Sequence, residues 1–116
     1  MANYRWHKIA STYELAHHFP TDKGLKYIEV IGKSICIVNW ESNYYAIDDK
    51  CSHAGGSLSM GKCDESGNVI CPIHRIGFRC KDGGPAGGKG YFVNSYPLEN
   101  REDGLYIGFK KKWFEF

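Results

Sequence analysis

From Lys26 onward apolar and polar side chains alternate with a period of two, the pattern of a strand with one face inward. Tyr27-Ile28-Glu29-Val30-Ile31 predicts one strand, Gly32-Lys33 a turn, and Ser34 to Trp40 a second strand. Glu41-Ser42-Asn43 turns the chain again into Tyr44-Tyr45-Ala46-Ile47, which completes a meander. Ahead of it, Trp6 to Ile9 predicts a short opening strand, and Ser11 with Glu14 matches a capping box for a single helical turn over Ser11–Ala16. Val69-Ile70 and Gly77 to Cys80 predict two short strands around a hairpin, and Leu105 to Phe109 a closing strand after a charged turn at Asp103-Gly104. The fold class is therefore all-β, an antiparallel sandwich or barrel, with a loop-rich insert from about residue 50 to 85.

At 116 residues the chain predicts one domain, 1–116, with no room for a second catalytic module. Fourteen glycines with 42% hydrophobic and 15% aromatic residues suit a folded β protein with many turns. A net charge of +2 leaves no basic stripe, and the run Lys110-Lys111-Lys112 predicts a solvated tail, so no nucleic-acid partner is expected. The N-terminus has no apolar signal region and no 18-residue apolar run occurs, which predicts a cytoplasmic chain without a membrane partner. His17 and His18 end the helical segment, where imidazoles favour the negative pole of a helix, and receive no functional role.

The chemistry is concentrated in two short segments. Cys51-Ser52-His53 and Cys71-Pro72-Ile73-His74 each offer one thiolate and one imidazole. Two irons bridged by two sulfides need four protein ligands, and two Cys with two His is one such set. Zinc also accepts Cys2His2, but zinc fingers usually pair Cys with Cys and His with His, whereas each segment here holds one of each. The glycine-rich stretch Gly83 to Gly90 lacks the lysine-serine or lysine-threonine ending of a phosphate loop, and fits a backbone pressed close to a neighbouring group. Five cysteines leave Cys36, Cys63 and Cys80 beyond the ligand candidates. They are expected to be free thiols, with Cys36 buried in a strand and a Cys63–Cys80 disulfide as the alternative.

These segments resemble the Rieske [2Fe-2S] family. Cys51-Ser52-His53-Ala54-Gly55-Gly56 is similar to its first cluster loop, and Cys71-Pro72-Ile73-His74 to its second. Phe78 stands where the family usually has an aromatic, and Gly84-Pro85-Ala86 resembles the proline-bearing loop that covers the cluster. The resemblance implies a small cluster-binding subdomain inserted in the β fold, and one [2Fe-2S] cluster held by Cys51, His53, Cys71 and His74. In the family both cysteines bind one iron and both histidines the other, each imidazole presenting its second nitrogen to solvent as the exit for the electron. Histidine ligation leaves the oxidised centre formally neutral, so it accepts an electron more readily than a four-cysteine centre, within roughly −150 to +300 mV. High-potential members resemble each other in an extra disulfide between the loops and a hydroxyl donor to a sulfide. Here the disulfide positions hold Gly56 and Ile73, and Arg75-Ile76-Gly77 contains no serine. The chain therefore looks like the low-potential ferredoxin branch that serves ring-hydroxylating oxygenases. One departure is Arg75, which follows the second histidine where the family commonly has glycine. Its cation is expected to raise the potential or to serve as a docking contact.

Nothing in the sequence matches a catalytic centre, a flavin or nicotinamide fingerprint, or a mononuclear iron triad. Electron carriage is the expected function, from a flavin- or iron-sulfur-containing reductase to a terminal oxygenase. Both are expected to dock transiently on a monomer around the histidines, with Lys62, Arg75 and Lys89 as rim charges. Two alternatives are a Rieske-like non-catalytic subunit of the nitrite reductase type and a redox-responsive or zinc-stabilised binding module.

Overall fold

The computed structural model describes residues 3–111, so Lys112, the last residue of the lysine run, lies outside the described residues. The chain divides into two compact units, one formed by both terminal segments and one by Pro20–Ser95.

In the terminal unit, β1 (Tyr4–Ser11) pairs antiparallel with β10 (Gly104–Lys110), and β10 with β9 (Leu98–Arg101), giving the sheet order β1-β10-β9. The opening strand is longer than Trp6–Ile9 because the ladder with β10 holds it from Tyr4↔Lys110 to Ser11↔Gly104, with an irregularity between Lys8 and Ala10. Ala10, Leu105, Ile107 and Phe109 are buried. The helix α1 (Thr12–His17) starts with the capping box expected from Ser11 and Glu14: the Glu14 amide donates to the Ser11 hydroxyl, and the Ser11 amide to the Glu14 carboxylate.

In the Pro20–Ser95 unit, β2 (Leu25–Val30), β3 (Lys33–Trp40) and β4 (Asn43–Asp48) form an antiparallel meander, with β8 (Ser95–Tyr96) next in sheet order after β4. The first turn sits one residue earlier than the glycine suggested. Ile31 and Gly32 both have positive φ, 44° and 80°, and Lys33 already pairs with Val30. A two-residue turn with both central residues at positive φ matches the right-handed twist of its strands, and Glu41 and Ser42 form the second such turn at φ 51° and 66°. In β3 four successive residues, Ile35 to Val38, are buried, so both faces of the central strand are covered.

A second, smaller antiparallel sheet has the order β5-β6-β7, from β5 (Lys62–Cys63), β6 (Asn68–Ile70) and β7 (Gly77–Arg79). This sheet lies within the loop-rich stretch of about residues 50 to 85. Cys36, Val38 and Ile47 from the meander share one apolar core with Cys51, Leu58, Val69, Cys71, Phe78 and Val93. That core packs the two loops of interest against both sheets of the unit.

Candidate metal centre

Each cysteine-histidine segment is a loop closed by the same pair of backbone hydrogen bonds. In the first, the Cys51 amide donates to the Gly56 carbonyl at 2.8 Å and the Gly55 amide to the Cys51 carbonyl at 2.8 Å. In the second, the Cys71 amide donates to the Ile76 carbonyl at 2.8 Å and the Arg75 amide to the Cys71 carbonyl at 2.9 Å. Both loops thus fold the cysteine inward at their start and turn out through a residue of positive φ, Gly55 at 74° and Arg75 at 59°.

Asp49 anchors the first loop. It is the only buried charged side chain among the described residues, accepting from the Ser57 hydroxyl at 2.6 Å and the Ser59 amide at 2.8 Å, while its carbonyl accepts from the Leu58 amide. The second loop is delivered by β6 and carried away by β7, whose Phe78 is fully buried. Gly56 lies where the loops meet: a Cβ there would stand 2.7 Å from the Ile73 side chain and 3.2 Å from Cys71 Sγ. A side chain at this position would require the Ile73 side chain to move aside.

This geometry sorts the four candidates by type. Cys51 and Cys71 are buried and in hydrogen-bonding contact with each other, whereas His53 and His74 are exposed. The two Nδ1 atoms face each other at 3.4 Å, with ring centroids 5.1 Å apart. Burial pushes the Cys71 thiol above its ordinary range, and the amides of Ile73 and His74 donate to its sulfur and pull the other way. Those donors suit a thiolate. Among the described residues no three His, Cys, Asp or Glu side chains converge on one point as a single ion requires. The set stands as two pairs, thiol with thiol and imidazole with imidazole, and that division suits two irons with different ligands.

Pro85 is joined to Phe78 by an isolated antiparallel bridge. Its loop is fixed by a residue that sequence reasoning passed over. Arg79 forks onto Asp82, Nε to Oδ1 at 3.0 Å and Nη2 to Oδ2 at 3.1 Å, and its Nη1 donates to the Pro85 carbonyl at 2.8 Å. The Gly84 amide also donates to Asp82, and the Ala86 amide to the Gly77 carbonyl. A second unforeseen residue is Tyr91, whose ring lies 4.6 Å from that of His53. None of the five cysteines is in a disulfide, so the Cys63–Cys80 bridge is not formed; Cys36, Cys63 and Cys80 lie in the shared core.

The match to known proteins follows these residues. Residues 5–97 match the family model of the Rieske [2Fe-2S] domain. The chain belongs to the Rieske [2Fe-2S] family. Its cofactor is accordingly a Rieske-type [2Fe-2S] cluster, and the paired donors fit that group. Over 90 residues the chain is 28% identical to a 3-phenylpropionate/cinnamic acid dioxygenase ferredoxin subunit of Photorhabdus laumondii, covering 74% of this chain and 82% of the relative. Among solved structures, the ferredoxin of a carbazole 1,9a-dioxygenase oxygenase–ferredoxin complex aligns with a TM-score of 0.75 at 23% identity, over 92% of this chain and 95% of the other. A nitrite reductase small subunit from Mycobacterium tuberculosis aligns with a TM-score of 0.76 at 15% identity, over 91% and 96%. At these identities the structural likenesses are likenesses of the Rieske fold. They agree with the all-β architecture expected from the alternation pattern.

Proposed function

We propose that this Rieske protein is a one-electron carrier, the ferredoxin component of an oxygenase system rather than an enzyme in itself. Cys51 and Cys71 would hold one iron, and His53 and His74 the other. The observation that carries the reading is the sorting of the four side chains into a buried thiol pair and an exposed imidazole pair. When bound, the cluster supplies reversible uptake of a single electron. The chain contributes the rest: burial and amide donors around Cys71, a first loop pinned by Asp49, and two imidazoles at the surface through which an electron can leave.

The low-potential branch is supported by positions 56 and 73, which lie side by side but hold glycine and isoleucine, so no disulfide can join the loops there. The oxygenase as electron acceptor is supported by the dioxygenase ferredoxin subunit among the relatives. A flavin- or iron-sulfur-containing reductase as donor, a monomeric state, a single domain over 1–116 and a cytoplasmic location complete the proposal. Among the described residues no helix is long and apolar enough to cross a membrane.

Protein-film voltammetry on the purified chain, together with iron, sulfide and zinc content, tests this. A reversible one-electron wave at low potential is the expected result. Zinc without iron, and no wave, would overturn it.

A further inference from the structure

Beside Cys71 lies an open cavity of about 280 Å³ lined by Met60, Lys62, Pro72 and Arg75 among others. Two of these residues are cations, and neither takes part in an ion pair with another described residue. Met60, 77% exposed, gives the same cavity an apolar lip.

The lining of this cavity holds two cations and no carboxylate, so its charge is one-sided. From the end of β4 to β8 the acidic residues are Asp48, which closes β4, then Asp49, Asp64, Glu65 and Asp82. Asp48 accepts from the Asn94 amide, and Asp49 from Ser57 and Ser59. Asp64 is wrapped by the amides of its own turn, Glu65 bonds Lys23, and Asp82 is forked by Arg79. Lys62 and Arg75 are left to present positive charge next to one of the candidate iron ligands. Arg75 does so from a left-handed backbone, a conformation that costs about 1 kcal/mol or more for a residue with a Cβ.

We infer that this cavity is a docking site for an acidic surface of the electron-transfer partner, with partner carboxylates received between Lys62 and Arg75 and an apolar side chain against Met60. The inference rests on the electron-carrier reading and adds the chemistry of the partner and where it is met. Opposite charges steer encounter and set orientation more than they add affinity, which suits a partner that must bind and leave quickly.

The test uses the cluster-loaded full chain, reduced and then oxidised by ferricyanide, an anion, or by cobalt(III) hexaammine, a cation, in stopped flow. Lys62→Gln and Arg75→Gln are each expected to lower the ratio of the ferricyanide rate to the cobalt rate about threefold at low salt, a ratio insensitive to any change in reduction potential, and the difference disappears as salt screens the charges. Neither variant should slow the cobalt reaction. Lys81→Gln removes the same net charge from a residue that lies over Trp40, and should have a smaller effect. An oligoglutamate peptide should compete with ferricyanide in the wild type and lose that effect in the two cavity variants. Equal ratios in Lys62→Gln, Arg75→Gln and Lys81→Gln would overturn the inference, as would competition by inorganic phosphate but not by oligoglutamate. Failure of the carrier reading shows separately, in a wild-type chain that takes up no cluster and passes no electron to either oxidant.

Discussion

Gly55 and Arg75 hold the same place in two loops that fold alike. Each amide donates to the carbonyl of its loop's cysteine, at 2.8 and 2.9 Å, and each residue has positive φ. The repeat of the backbone demands a left-handed residue twice, and the chain meets the demand once with glycine and once with arginine. An arginine kept in a strained place points to a role for its side chain.

Arg75→Gly should therefore raise stability by about 1 kcal/mol, the left-handed strain offset in part by the greater freedom of glycine in the unfolded chain. Denaturant unfolding of the cluster-loaded protein measures this. The same variant should lower the reduction potential, because it removes a cation that favours the more negative reduced state. A less stable variant would show that Arg75 is not strained, and an unchanged potential that its charge is screened.

Substituting any one of Cys51, His53, Cys71 or His74 with alanine should abolish a stoichiometric cluster, read as loss of iron, acid-labile sulfide and visible absorption. Cys36→Ala, Cys63→Ala and Cys80→Ala should keep all three signals. A cluster that survives Cys71→Ala with unchanged spectra would refute the ligand assignment.

The three remaining thiols should be inert in the folded protein. Burial pushes Cys63 up to about 11, Cys80 up to about 12 and Cys36 higher still, so thiolate is scarce at neutral pH. In the unfolded chain a thiol ionises near 8.5. Their stabilising contribution is thus complete below about pH 8.5 and declines as pH rises toward the folded values, because the unfolded chain then releases protons that the folded chain keeps. Iodoacetamide labelling followed by mass spectrometry should show these three unmodified between pH 7 and 9 without denaturant. Rapid labelling of Cys63 would show that its strand opens readily.

Asp49→Ala should destabilise the chain by about 3 kcal/mol, since it removes a charged acceptor and leaves the Ser57 hydroxyl and Ser59 amide without their partner. Urea unfolding checks the size. A loss well under 1 kcal/mol would mean that water replaces the carboxylate.

Arg79→Lys should loosen the Pro85 loop while leaving the sheets intact, because an ammonium cannot fork onto Asp82 and reach the Pro85 carbonyl together. Hydrogen exchange would show this as faster exchange of the Arg79 position and Ala86 amides, with β3 amides unchanged. Equal protection at both amides would mean that the backbone bonds alone hold the loop.

The ligand candidates were legible in the sequence because metal binding needs uncommon residue types at fixed spacing, and Cys51-Ser52-His53 with Cys71-Pro72-Ile73-His74 satisfies both. The meander was legible because alternation is local, and Ser11 with Glu14 announced the helix cap. What escaped depends on partners distant in sequence or on backbone angles that side-chain identity conceals. The length of β1 is set by β10, nearly the whole chain away. Ile31 gives no hint that it will take a turn position beside Gly32. Tyr91 finds His53 only after the glycine-rich stretch has folded, and the hold of Arg79 on Pro85 depends on the turn that Asp82 makes.

Cys51 and Cys71 belong to the same apolar core as Val38, Ile47, Leu58 and Phe78. On the proposed ligand set, the cofactor is gripped from inside the fold rather than carried on its surface. Loading the cluster would then add to the stability of that core as well as supply the electron site.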